Sequence, residues 1–459
     1  MKNIYKLLGL FILVSSTYSC GKDDLNLAPL SQIGDNAFYQ NDEEIEGAVI
    51  AIYDGLQEVP MREFALTEMR SDNAKSKSRE GDWAQFESFS VKSTNVAIVN
   101  YWRANYNVIF RANVVLKNIE VVQDGAKKNQ YAAEARFVRA LSHFNLVRAY
   151  GDVPLLDKVV TPTDSDYAAY LAKTPAADVL TFIQTDLEFA AANLPSKASA
   201  SFGRATMAAA QGLLAKVYLT QGNYTAAQPL LTQLVTNNQY ALQAAYSDVF
   251  YSEKNNEILF AIPYTNDDVN ESQDFSFEMT QGGQVSGLNF VTDDLAGAID
   301  PADVERKPIL INPLDPKANA KFLTTSGNAR LCGNDWIVLR LADVLLLHAE
   351  AIMAGQSETA SVAAIKSYNL VRARVGLSTL PENGTAKLTK QMLMDERRIE
   401  LAFENHRLYD LIRFGEAQNV LSNYATNTAV SFSPTDLLLP IPQAEINVSG
   451  GALLQNPGY

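Results

Sequence analysis

Three histidines, His143, His348 and His406, are the imidazoles of this 459-residue chain, and each falls in a stretch with helical periodicity. None belongs to an HExxH pattern or sits with cysteine at metal-ligand spacing, so a histidine-built zinc centre is not expected. No GxSxG, GxGxxG or Walker sequence occurs, which removes the usual nucleophile elbow and the phosphate-cradling loops. Paired acids are present at Asp267-Asp268 and Asp293-Asp294, in stretches that read as loops. Such pairs serve glycosidases as acid and base, and loop oxygens of this kind take calcium. Adjacent acids are also ordinary turn formers, and no EF-hand spacing supports a metal. The turn reading is preferred, with loop-bound calcium left open. The densest charge run is Glu396-Arg397-Arg398-Ile399-Glu400, followed by Glu404, Arg407, Asp410 and Arg413. It repeats at helical steps alongside Ile399 and Phe403, which predicts ion pairs holding helices together rather than catalysis. These residues point to a binder, with no catalytic residue, metal ligand or cofactor expected.

The N-terminus says where such a binder works. Lys2 and Lys6 precede an apolar run, Leu7 to Val14, that is too short to span a bilayer. Small polar residues then lead to Cys20. Residues 1–19 read as a signal peptide with a lipobox-like end, so Cys20 is expected to carry a lipid after cleavage. Residues 20–35 read as a tether, acidic at Asp23 and Asp24. The other cysteine, Cys332, is left without an intramolecular partner, so stability must come from a core, which 47% hydrophobic residues can supply. The net charge is −14, and loss of Lys2 and Lys6 with the signal peptide moves it to −16. Such a field disfavours nucleic acid and anionic lipid as partners.

Helices must position whatever the chain binds with. Trp102, Tyr106, Ile109, Asn113 and Leu116 share one helical face. Phe137, Leu141 and Phe144 mark the next helix, which stops at Gly151 before Pro154. Thr174-Pro175 reads as an N-cap with proline at the first helical position of a helix running to about 193. Further helices are expected over 204–221, 224–237, 337–354, 358–375 and 389–416. Leu214, Ala215, Tyr218, Gly222, Tyr224, Ala227 and Leu231 match the tetratricopeptide spacing at several positions, with a second candidate at Ala349, Ile352 and Ala364. Stacked pairs of this kind build a superhelical scaffold. Residues 252–335 are rich in glycine and proline, with β-like runs at Ile258–Ile262 and Trp336–Leu339. Residues 60–100 are polar, aromatic and poorly periodic. The fold class expected is all-α: a tetratricopeptide-like helical-pair scaffold with a loop-rich insertion carrying short β segments.

Several segments resemble the SusD/RagB family. Towards the C-terminus they are Arg340-Leu-Ala-Asp343 through Glu350, Asn369-Leu-Val-Arg372-Ala-Arg374, Glu396 through Glu404, Tyr409-Asp410-Leu-Ile-Arg413, Leu439-Pro-Ile-Pro442 and Gln455 through Tyr459. Gly47 through Gly55, Glu134-Ala-Arg136-Phe-Val-Arg139 and Tyr150-Gly151-Asp-Val-Pro154 are similar to the family's N-terminal half. The resemblance runs in order along the mature chain. It implies a single domain over 36–459 built on four tetratricopeptide units, with ligand-face segments at about 60–100 and 252–335. It also implies a lipoprotein displayed on the outer membrane, which captures oligosaccharides, or oligopeptides, for a SusC-like TonB-dependent transporter. A surface glycoside hydrolase and a lipoprotein scaffold binding only proteins are the competing readings.

Sugars stack on aromatic faces and bond carboxylates and amides, so exposed aromatics in loops are the residues to find. Trp102 and Trp336 lie in apolar patterns and are expected in the core. Trp83, among Arg79, Glu80, Gly81, Asp82 and Gln85 with Phe86 close by, is the platform expected for ligand. The segment Glu68-Met-Arg70-Ser-Asp72-Asn73 resembles one near the family's ligand site, which makes Arg70, Asp72 and Asn73 candidate contacts. Phe275, Phe277 and Phe290 of the insertion are candidates for the opposite wall.

Overall fold

The computed structural model describes residues 38–78, 80–280 and 287–459. Cys20, the signal peptide and the tether lie outside the described residues.

Eight helices form a continuous stack in which each packs on the next. They are α1 (Asp42–Gln57), α2 (Val96–Asn118), α3 (Gly125–Tyr150), α4 (Ala176–Asn193), α5 (Met207–Thr220), α6 (Tyr224–Val235), α7 (Leu341–Met353) and α8 (Val362–Arg374). Taken two by two they make four helical pairs, as a tetratricopeptide solenoid does. Side chains cap six of the N-termini: Asn41, Asn95, Asp124, Thr206, Asn223 and Ser361 each accept from a first-turn N–H. At α4 the cap differs from the sequence reading. Pro175 precedes the helix, and the Ala176 N–H is taken by Asp152 Oδ1 at 2.8 Å. The α5–α6 turn needs Gly222, whose φ is +71°. Gly212 of α5 lets Leu339 approach so closely that a Cβ would lie 2.4 Å from its methyl.

Buried polar contacts set the register of the stack. Arg139 of α3 forks onto Asp186 of α4 at 2.8 and 2.9 Å. His348 of α7 meets Ser367 of α8 at 2.8 Å and Thr232 of α6 at 3.1 Å.

The insertion between α6 and α7 is closed at its root by an antiparallel pair, β2 (Ile258–Ile262) against β4 (Trp336–Arg340). Residues 337–340 are therefore strand, where one helix over 337–354 was expected. Ile337, Leu339 and Arg340 are buried and Val338 half-buried, so the strand is covered on both faces. A second small sheet pairs β1 (Ala74–Lys75) with β3 (Phe290–Val291), tying the 60–100 segment to the insertion. That segment is not a surface loop: Phe64 through Ala74 are buried.

The helix expected over 389–416 is broken in two, α9 (Lys390–Glu400) and α10 (Arg407–Arg413), followed by α11 (Ala417–Thr428). Phe403 and Asn405 both take positive φ in the break. Buried charges hold it there. Glu404 receives Arg340 Nε at 2.7 Å and Lys321, and the Asn405 amide donates to Glu63 O at 2.7 Å. Around this break Arg306 meets Asp303, Glu396 and Glu400, while Arg340 meets Glu257, Glu400 and Glu404. Arg397 meets Asp343 and Asp410, and Arg413 meets Glu350 and Asp410. The charge run is thus the buried joint between insertion, solenoid and C-terminal helices.

Candidate ligand-binding face

The acidic and amide candidates are structural. Asp72 is buried and receives both nitrogens of Arg407 at 2.7 and 2.8 Å, with Arg398 at 3.1 Å. Burial alone would raise its pKa, but the Arg407 hydrogen bonds and the Arg398 charge hold it below the usual range. Asn73 donates to Glu68 at 3.2 Å and accepts from Arg398 Nε at 2.9 Å. Arg70 donates to the Asp436 carbonyl at 2.8 Å. All three lie in the interior, so none reaches a ligand in this conformation. The charge complementarity that could serve a ligand is consumed inside the protein.

The aromatic candidates divide. Phe86, Phe275 and Phe290 are buried and belong to the packing. Trp83 and Phe277 are half-buried and reach the surface. Trp83 sits in a short helix, Gly81–Glu87, clamped to the start of α2 because Asn95 donates to Asp82 O at 2.8 Å and the Val96 N–H bonds Asp82 at 3.1 Å. Its ring lies 5.6 Å from Phe64 and 5.6 Å from Phe86. Phe64 in turn stacks on Phe275 at 5.0 Å, and Phe275 meets Phe322 and Trp336 at 5.5 and 5.4 Å. Trp83 is thus the outer end of an aromatic column that runs to the base of β4, which fixes its ring plane before any ligand arrives. Trp102 and Trp336 are in the core, as their patterns predict.

Phe277 lies two residues beyond Phe275. The Arg330 guanidinium covers its ring at 3.7 Å and pairs with Asp274 at 3.6 Å and Glu278 at 3.9 Å. Asp274 also feels the charge of Arg62. Arg62 and Met61 border a cleft of about 690 Å³ between α1, α2 and the 269–272 loop. Its wall carries Asn100, Asn107 and Asn270, groups suited to bonding hydroxyls. Arg62 and Arg330 were not legible as site residues, because each gains its meaning from a partner distant in sequence.

Chemistry beyond binding finds little support in the geometry. Burial, with the nearby positive charge of Arg139 or Lys216, pushes His143 and His406 down to about 3, so both are neutral. The His348–Ser367 contact is sealed in the helix seam and has Thr232, not a carboxylate, on the other ring nitrogen. Asp293 and Asp294 open a short helix capped by Thr292, and Asp294 is paired with Arg398 at 2.6 Å. Asp268 accepts from the Asn270 N–H of its own turn at 2.9 Å.

Two family models match in chain order. One, described as starch-binding associating with outer membrane, covers residues 27–219, and the SusD family model covers 318–459. The chain belongs to the SusD/RagB family. Among curated relatives, SusD-like protein P2 of Formosa agariphila is 27% identical over 96% of this chain and 97% of its own length. A SusD-like protein of Bacteroides ovatus is 25% identical over 96% of this chain and 89% of its own. Among solved structures, a laminarin-binding SusD-like protein superposes with a TM-score of 0.76 at 26% identity, over 92% of this chain and all (100%) of that one. The fold is shared with surface glycan-binding protein A of Bacteroides thetaiotaomicron, in complex with laminarihexaose, at a TM-score of 0.75 and 23% identity over 91% and 99% of the two chains. The four helical pairs are therefore the SusD scaffold.

Proposed function

We propose that this SusD-family protein gathers oligosaccharides at a bacterial outer-membrane surface and delivers them to a SusC-like TonB-dependent transporter, tethered by a lipid on Cys20. The observation that carries the reading is Trp83, a half-exposed indole locked in plane by Phe64 and Phe86 on a scaffold shared with glycan binders. A fixed aromatic face takes the apolar C–H surface of a sugar at small entropic cost. The polar cleft beside Arg62 supplies amides for hydroxyls. Laminarin binding in one similar protein and a xylogluco-oligosaccharide in the crystal of another support a glycan over a peptide.

The test is a binding array of glycans and peptides on the purified protein, followed by calorimetry of each hit. A glycan hit weakened by Trp83→Ala supports the reading. Peptide hits alone would move the ligand class. Shortening of a bound polysaccharide on incubation would instead make the protein a hydrolase.

A further inference from the structure

A second cleft, of about 420 Å³, opens at the root of the insertion, away from the residues that surround Trp83. Its volume is that of a small-ligand site. Tyr251 stands in its wall with 38% of its surface exposed. The ring cannot swing, because the phenol donates to the Ala320 carbonyl and accepts from the Leu323 N–H at 3.3 Å. A tyrosine whose hydroxyl is spent on backbone offers only its ring face, which suits an apolar C–H surface rather than a hydrogen-bonding group. Polar groups share the lining with it. Asp335 accepts from the Tyr264 N–H at 3.3 Å through one oxygen, and its other oxygen has no hydrogen-bond partner among the described residues. Burial raises its pKa to about 7, so at neutral pH the carboxyl serves as donor and acceptor. Asn266, which lines the same space, is held by donating to Thr325 at 2.8 Å. Gly333 presses this wall together, for a Cβ there would lie 2.9 Å from the Asn266 N.

The charges around the mouth are unequal. Glu253 and Asp267 stand in the lining against the single cation Lys254. Carboxylated or sulfated chains are repelled by such a mouth, while a neutral polyol has nothing to lose.

We infer that this cleft is a second saccharide site, taking an uncharged sugar unit stacked on Tyr251 and bonded by Asp335 and Asn266. The inference rests on the reading of the protein as a glycan binder. Two such sites on one chain let a single polysaccharide engage both, which raises avidity without new contacts at either.

Calorimetry of the purified protein with laminarihexaose, a xyloglucan oligosaccharide and a carboxylated polymer such as polygalacturonate tests it. Thr325→Arg fills the mouth from an exposed position, and Tyr251→Ala removes the platform. Each is expected to weaken a neutral glycan at least tenfold, or to remove one binding event from the stoichiometry, while Trp83→Ala leaves that event in place. Unchanged affinity and stoichiometry in Thr325→Arg would overturn the second site but leave the proposed function standing. Tighter binding of polygalacturonate than of either neutral glycan would overturn the ligand class. Absence of any glycan binding by the wild-type protein would sink both readings together. Thr325→Arg decides the matter even where Tyr251→Ala fails to fold.

Discussion

The Asp72 carboxylate is gripped by both forks of the Arg407 guanidinium, at 2.7 and 2.8 Å, across 335 residues of sequence. A bidentate pair this deeply buried joins the 60–100 segment to the C-terminal helices. Removing Asp72 leaves the Arg407 guanidinium as an interior charge without its partner, which costs about 3–5 kcal/mol, whereas removing Arg407 leaves Asp72 with Arg398 alone. Asp72→Ala is therefore expected to lower the urea midpoint strongly, and Arg407→Leu to lower it by less, since Arg398 still pairs with Asp72. The double variant Asp72→Leu/Arg407→Leu should recover part of the loss, because no lone charge remains. Glycan affinity of the folded fraction should stay at the wild-type value in all three. An affinity loss without a stability loss would return Asp72 to the ligand site.

The helical scaffold was legible because periodicity is local. Leu214 through Leu231 carry their turn, their small residues and their capping Asn223 within one window. The β2–β4 pair was half legible: Ile258–Ile262 and Trp336–Leu339 read as β-like, but nothing local says that they meet. The break between α9 and α10 was hidden, since Phe403 and Asn405 take positive φ in answer to Arg340, Lys321 and Glu63 rather than to their neighbours. The burial of Arg70, Asp72 and Asn73 was hidden for the same reason. Their segment resembles one near the family's ligand site, and nothing local shows that their partners arrive from Asp436, Arg407 and Arg398.

Acid should unfold the protein late and abruptly. His143 and His406, held near 3, stay neutral in the fold while the unfolded chain takes up protons below about pH 6.5. Their contribution falls as pH drops through that window. Glu68 and Asp335, raised to about 7 mainly by burial, act oppositely. They keep their protons in the fold above about pH 4, where the unfolded chain releases them, so their contribution falls as pH rises towards 7. The two effects offset each other between about pH 6.5 and 4.3. Below about pH 4 the depressed acids add to the histidines: Asp410, held to about 2 by Arg397 and Arg413 against its burial, with Asp72, Asp343 and Glu404. Urea midpoints should be nearly flat from pH 6.5 to 4.5 and fall steeply below 4. His143→Gln should tilt the plateau upward towards acid. A steady decline from neutrality in the wild-type protein would contradict this balance.

Cys20→Ala is expected to release the protein from the membrane fraction without altering glycan affinity, since the proposed lipid sits on Cys20, outside the described residues that build the fold. Cell fractionation and calorimetry on the same variant check both halves. Reduced affinity would mean that Cys20 belongs to the folded domain.

Trp83 packs in the aromatic column and is proposed to stack on ligand, and a variant series separates the two duties. Its inner edge packs on Phe64 and Phe86, while its outer part meets solvent. Trp83→Ala should lose affinity for a bound glycan by tenfold or more and also lower the melting temperature, because the aromatic column loses its cap. Trp83→Phe keeps an aromatic plane in the same place, so it should recover most of the stability and part of the affinity. Trp83→Leu fills the inner space without a π face. It should recover stability and leave affinity near that of the alanine variant. If leucine restored binding as well as phenylalanine does, the side chain would be acting by packing alone, and the stacking platform would have to be sought at Phe277 or Tyr251.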